Sequence, residues 1–577
     1  YVGFFFTCQP QSLLGAVDAP SGVLGGQGLC AHTATDGGAM ACASGYIRNE
    51  HALHERLREA GVRVDAAGGL SALVLAAYRL WGERYPEHLE GPVASAVIDR
   101  DMDVLVLSRD RMGEQRVFYL AQGASVAFAD HPSALLAAPF ARRAVDAQGL
   151  KELFALGPAR TPGLTPIVNL KALEPGTALV AGGAGQRLHR YFRLEAREHP
   201  DSLPDTIEQV RLLVEDALGE VLWARPASML SGGLDSTVLS ALLSRTGQGP
   251  IRTWSVEYEE DEKHFIQNDY QHERDRPFVE QAVKLLGAEH RTVRLGQQAL
   301  MNALHEAMTA RGMPGMADVD ASLMLFAREI AGRDRFVLSG ECGDEVFGGY
   351  PWFHRSELIA RDAFAWSGSI ALRESVLRKG LRDKLKLNEY AAARYHESAA
   401  RQPRLTKDSA EEARLRLQHG LCFEWFMPVL QERASAMCGA SGVGVLTPYC
   451  DDRLVQYTYN VPWAVKNLGG QEKGLLREAM RDLLPEGLLK RRKSPYPKTH
   501  HPLYAELVCA RMQEVLGDKA SPILKVLDAD AVRALMAGGL RASETPWYGQ
   551  LMAGPQMIAY LLQIDDWLRT YKLEVEI

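Results

Sequence analysis

The eight cysteines, Cys8, Cys30, Cys42, Cys342, Cys422, Cys438, Cys450 and Cys509, contain no C-x-x-C pair and no metal-ligand spacing. That leaves out a cysteine-held metal centre and points to a reducing compartment. Neither sign of charge is in excess: 65 Lys and Arg against 72 Asp and Glu leave a formal −7. No global positive field therefore recruits a nucleic-acid backbone, and the only basic cluster of note is Lys490 to Lys493. Nowhere do about 18 apolar residues run together, and the opening YVGFFFTCQPQ lacks a basic flank, so neither a membrane span nor secretion is expected. The expected location is the cytoplasm.

What is present is an ordinary folded composition, 46% hydrophobic and 24% charged, over 577 residues. That length allows three or four domains, or two large ones. Up to about residue 200 the pattern is short apolar runs cut by turn residues: VASAVID (93 to 99), VLVLSRD (104 to 110), RVFYLA (116 to 121) and ASVAFAD (124 to 130). These read as strands, with a buried helix over LSALVLAAYRLWGERY (70 to 85), a second helix near Asp146 to Leu156, and a glycine-turned hairpin over 176 to 192. The polar, proline-bearing LEAREHPDSLPD (194 to 205) is the expected linker, placing one domain at 1–200 and another at 201–577. Beyond it strand-like and helix-like runs alternate, which argues for parallel βαβ units with ligands at the carboxyl ends of the strands. Residues 355 to 577 read as mainly helical.

Three strings carry chemistry. In MLSGGLDSTVLSALL (229 to 243) a strand runs through Ser231, Gly232, Gly233, Leu234, Asp235 and Ser236 into a helix. Glycines let the backbone approach an anion, and hydroxyls and N–H groups at a helix start favour negative charge. No G-K-[ST] follows, so this is not a Walker loop. In RFVLSGECGDEVFGGYPWF (335 to 353) a second turn carries Glu341, Asp344 and Glu345, which would repel pyrophosphate unless a divalent cation lay between them. Asp235 and Asp344 are the natural pair to hold it. The third string runs from Gln471 to Lys493 and on into SPYPKT; Lys473 and Arg477 are four apart, on one expected helix face, and Lys493 precedes a proline-rich exit. Alone, a basic helix end is dipole complementation or a solvated face.

In this order and at these separations, SGGLDS, SGECGDEVFGGY and the K…LR…LP…R-x-K run resemble the glutamine-dependent asparagine synthetase family, and WGERYPEHLEGPVASAVIDRDMDVLVLSRDRMGEQRVFY (81 to 119) is similar to its glutaminase domain. The resemblance implies an N-terminal Ntn-hydrolase-like αββα domain followed by a PP-loop ATP pyrophosphatase α/β synthetase domain, with ATP and Mg²⁺. It implies ATP contacts at Leu230, Ser231, Gly232, Gly233, Asp235, Ser236, Val256, Ser339, Gly340 and Lys473. Metal ligands are implied at Asp235 and Asp344, and catalytic roles at Glu341 and Lys493. The family's glutaminase uses a first-residue cysteine whose α-amine serves its own thiol; this sequence begins Tyr1, Val2, Gly3, and Cys8 is internal. Residues 28 to 50 also hold neither an H-R-R-L arginine nor an N-G-E-I-Y-N element. A degenerate glutaminase with no glutamine hydrolysis is expected.

Keeping adenylation without an ammonia supply implies an amine that arrives on a substrate. Two branches of the family fit, β-lactam-forming synthetases and lasso peptide macrolactam synthetases, and the former characteristically have Tyr where this sequence has Glu341. The expected function is a lasso cyclase joining a precursor peptide's N-terminal amine to an Asp or Glu side chain, with a leader-recognising or peptidase partner. An ammonia-dependent asparagine synthetase and a β-lactam synthetase-like enzyme are the alternatives.

Overall fold

The computed structural model describes residues 16–19, 22–25, 32–65, 68–123, 125–183, 185–247, 249–538, 540 and 546–577. In chain order the first region carries strands β1 (Ala16–Ala19), β2 (Gly22–Gly25), β3 (His32–Asp36), β4 (Ala39–Gly45), β5 (Val93–Asp99) and β6 (Val104–Arg109). They are followed by β7 (Phe118–Gln122), β8 (Ser125–Ala129), β9 (Ala144–Val145), β10 (Lys171–Ala172), β11 (Thr177–Gly182) and β12 (Gly185–Arg190). A six-stranded antiparallel sheet, ordered β12-β11-β6-β5-β4-β3, faces a three-stranded one, ordered β10-β7-β8. Alternation decides what lies between them: Met40, Cys42, Ala96, Ile98, Leu105 and Leu107 from one sheet meet Tyr119, Val126 and Phe128 from the other.

On its outer face the larger sheet is covered by the helices Glu50–Glu59 and Gly69–Trp81. The second of these is apolar almost all round, LVLAAY at its centre, and is buried accordingly. The expected helix over 70 to 85 therefore stops at Trp81 and tightens into a 3₁₀ segment, Gly82–His88, where Gly82 (φ 57°) and Pro86 end the α-helical pattern. The smaller sheet is backed by helical segments over 147 to 156, where the second helix was expected. This is the αββα layering that the resemblance implies. The 176 to 192 hairpin is β11 and β12.

The second region is built on a five-stranded parallel sheet of β13 (Ala227–Met229), β14 (Arg252–Tyr258), β15 (Glu289–Leu295), β16 (Phe336–Leu338) and β17 (Gly444–Leu446), ordered β15-β14-β13-β16-β17. Central β13 pairs with β14 on one side and β16 on the other, all parallel. The chain thus winds outward in both directions from β13, and the loops leaving β13 and β16 diverge to open a crevice. Residues 355 to 577 are mainly helical, as the pattern indicates. The stretch 194 to 205 runs extended along the helix Asp452–Asn460, with Glu195 N–H donating to Gln456 (2.9 Å) and Arg197 N–H to Asn460 (2.7 Å), until Ser202 caps the helix Leu203–Gly219. At the far end β18 (Glu574–Val575) pairs in parallel with β9. Among the described residues six cysteines are free thiols, and no helix is long and apolar enough to cross a membrane. Tyr1, Cys8 and Cys30 lie outside the described residues, and with them the reading of a lost glutaminase nucleophile.

Candidate active site

The loop after β13 forms because two glycines permit it. Gly232 has φ 70°, and a Cβ there would meet the Val279 backbone nitrogen at 2.8 Å. Ser231 and Ser236 hydroxyls lie 3.0 Å apart and close the loop on itself. The helix Leu234–Ser244 then starts from an extended Gly233 with no side-chain cap, so its first-turn N–H groups stay open to an anion. The loop after β16 packs directly on it, since a Cβ on Gly343 would come within 2.7 Å of the Asp235 carboxyl carbon. Glycine in SGECGDE thereby lets the two acidic loops touch.

Asp235 and Asp344 face each other across this contact, with Lys473 from the third string bridging them and Lys493 paired with Asp344. Lys473 Nζ bonds Asp235 Oδ2 and lies 2.5 Å from Asp344 Oδ1, while Lys493 Nζ lies 2.5 Å from Asp344 Oδ2. Burial pushes the Asp344 carboxyl up, but Lys473 and Lys493 outweigh burial and hold it below its ordinary range. Asp235, also buried and repelled by Asp344, is displaced upward despite Lys473. Burial raises Glu341 as well, against the opposing charges of Arg433 and Lys493. These groups open onto one cleft of roughly 1640 Å³, mouth included, lined also by Leu230, Ser231, Gly233, Ser236, Val256, Ser339 and Gly340. Every residue expected at the site lines it except Gly232, which shapes the loop from behind, and Glu345.

Three expectations need correction. Lys473 and Arg477 do not share a helix face: Lys473 precedes the helix Gly474–Ala479 in a left-handed conformation (φ 58°), which aims its ammonium at the two aspartates. Arg477 turns the other way and donates to the carbonyls of Leu489 and Arg491. Lys493 is not on a helix exit, because the helix Glu486–Leu489 ends four residues earlier and Lys493 lies on an irregular segment, its N–H held by Glu472 (2.9 Å). Glu345 does not line the cleft; it accepts from Tyr350 OH at 2.8 Å, and burial with the nearby Asp344 and Glu341 charges pushes it up to about 8.

Sequence reasoning missed Arg433 and Arg491. Arg433, on the helix Met427–Ala440, lies 3.3 Å from Glu341 and 3.4 Å from Asp320 and covers the Tyr496 ring at 4.6 Å. Nothing in LQERASAMC marks it. Arg491 donates to the Ser231 carbonyl (2.9 Å) and pairs with Asp275; it belonged to the basic cluster, which was the available signal.

The donor set fits a magnesium nucleotide. Asp235 Oδ1 is a buried acceptor that no hydrogen bond reaches, and Asp344 meets only the two lysine ammonium groups, both acids facing a cleft with an open helix N-terminus. Oxygen donors of this kind suit Mg²⁺, which takes one or two carboxylates with the rest of its shell from phosphate and water.

The asparagine synthase family pattern matches residues 209–569, and that of the glutamine amidotransferase domain matches 24–192. Glutamine-hydrolysing asparagine synthetase 3 of Bacillus subtilis (strain 168) is 37% identical over 92% of this chain and 87% of its own length. Asparagine synthetase 1 of the same organism is 23% identical over 79% and 75% of the two chains. Asparagine synthetase B of Escherichia coli (strain K12) is 24% identical over 54% and 52%.

Proposed function

The chain belongs to the asparagine synthase family and is an ATP-dependent carbon–nitrogen ligase, and we propose that the amide it forms is the macrolactam of a lasso peptide. In this reading residues 1–200 are a degenerate glutaminase-like domain, residues 201–577 carry the chemistry, and the amine comes from the peptide's own N-terminus.

The observation that carries amide ligation is the Asp235–Lys473–Asp344–Lys493 cluster at the sheet's switch point, with Glu341 beside it. ATP lies on the 231–236 loop, its phosphates on the open N–H groups and its Mg²⁺ on Asp235 and Asp344. The metal's contribution is to neutralise phosphate charge. The substrate carboxylate attacks the α-phosphate, forming an acyl-adenylate and releasing pyrophosphate. The amine then attacks the acyl carbon and AMP leaves. Glu341 takes the amine's proton, and the burial that raises its carboxyl makes it the better base. Lys493 stabilises the tetrahedral oxyanion and the departing phosphate charge.

One feature favours a peptide over a small amino acid: beyond the loops the wall of the cleft is apolar, with Met316, Leu323, Phe426 and Leu551. A prefolded peptide that brings amine and adenylate together exploits effective molarities of about 10⁵ M or more. Asparagine formation is the second reading, favoured by the names of the relatives. A precursor peptide incubated with this protein, MgATP and a leader peptidase is expected to lose one water. Asparagine from aspartate and ammonium salt, with no peptide product, would replace the macrolactam.

A further inference from the structure

Away from the site, on segments that continue from cleft-lining Glu257 and Pro497, Glu260, His264 and His501 converge. His264 Nε2 lies 3.6 Å and His501 Nε2 3.5 Å from the same oxygen, Glu260 Oε2, and the two imidazole rings are 4.2 Å apart. Among the described residues no other three His, Cys, Asp or Glu side chains bring ligand atoms this close. Glu260 precedes the short helix Asp261–His264 in a left-handed conformation (φ 58°), His264 is that helix's last residue, and His501 comes from a segment remote in sequence.

We propose that these three residues form a zinc site that clamps together the two segments leading away from the cleft. Zinc bonds of about 2.0–2.1 Å to nitrogen and oxygen place tetrahedral ligand atoms roughly 3.3 Å apart, so both imidazole nitrogens already stand near the required distance from Glu260 Oε2. Two imidazoles and one carboxylate select zinc over magnesium or calcium, which prefer oxygen. Lys263 holds the other carboxylate oxygen, Oε1, at 2.8 Å and leaves Oε2 to the metal. Partial exposure of all three side chains leaves a fourth position for water.

His501 Nδ1 at present accepts the Leu503 N–H (3.1 Å) at the start of the helix Pro502–Gly517. Zinc on Nε2 shifts the imidazole proton to Nδ1 and gives up that bond, which makes the ion exchangeable. The joined segments matter to the cleft. One follows β14, whose Val256 and Glu257 line it, and the other follows Lys493 and Tyr496. Tyr258 OH to the Pro497 carbonyl (3.0 Å) and His500 Nε2 with Gln271 Oε1 (3.0 Å) already link them, and zinc adds a third tie.

The test uses the full chain stripped of metal, titrated with ZnCl₂ against a chromophoric chelator, with Co²⁺ absorption reporting the coordination sphere. One equivalent should bind saturably and raise the unfolding temperature. His264→Ala should weaken binding at least about tenfold. His501→Asn, which removes the imidazole but keeps a side-chain acceptor for the Leu503 N–H, should do the same. Circular dichroism establishes that both variants are folded; if one is not, Glu260→Gln replaces it with the same expectation. No saturable equivalent in the parent, or equal affinity in folded variants, overturns the site. Neither outcome depends on which amide the enzyme makes.

Discussion

In the first region Asp110 is buried and accepts four backbone N–H groups, those of Met112, Gly113, Glu114 and Gln115. Its neighbour Arg109 donates to three carbonyls, of Gln115, Leu173 and Gly113, and faces Glu432 at 3.5 Å. In the second region Asp344 is buried and Asp235 partly so, their partners are lysines rather than backbone, and Asp235 Oδ1 has no hydrogen bond. Both clusters therefore bury charge, but Asp110 has its hydrogen bonds from backbone, whereas the Asp235 and Asp344 pair relies on lysine side chains and leaves Asp235 Oδ1 open. Satisfied buried charge fixes backbone; unsatisfied charge clustered at a cleft is held ready for something that is not protein.

That contrast can be broken at both ends. Lys493→Ala should have the largest effect, a loss of product formation of about 10²–10³-fold or more with ATP binding retained, read by nucleotide titration beside product assay. Cyclisation that persists would remove Lys493 from its assigned role. Arg109→Ala should act on stability instead, costing about 3–5 kcal/mol because Glu432 loses a buried partner and three carbonyls lose their donor. Urea unfolding measures this, and activity per folded molecule should change little.

The smallest effect is a pH dependence. Burial, and then the nearby Asp110, push the Glu114 carboxyl up to about 8 against its hydrogen bond from Thr447. The folded state then keeps a proton that the unfolded chain releases. The stability this contributes is full below the ordinary carboxylate range and is lost as pH rises through about 8. Glu114→Gln, which can still accept from Thr447, should flatten the decline in urea midpoint between about pH 5 and about pH 8; an unchanged slope would show that another group causes it.

Much of the site was legible because its loops obey local rules. SGGLDS needs glycine for a positive φ and an open helix start, and SGECGDE needs it for close approach, so both strings declare themselves in one dimension. The strand and helix alternation was legible for the same reason, since period reports which face is buried. Arg433 was not, because an arginine inside a helix looks alike whether it points to solvent or, across 92 residues of sequence, to Glu341. Lys473 was legible in identity and wrong in conformation: four-residue spacing suggests a shared helix face, whereas the chain enters that helix only after Lys473.

By itself the sequence determined the two acidic loops, the order of strands and helices, and the residue types that handle phosphate and carboxylate, because these depend on neighbours in the chain. Only the tertiary structure decided which acids meet which cations. Glu345 is turned from the cleft toward Tyr350, Arg477 toward carbonyls, and Lys473 into the gap between two aspartates. Electrostatic function follows distance and burial in space, and those are set when β13 and β16 come side by side and the third string folds back across them.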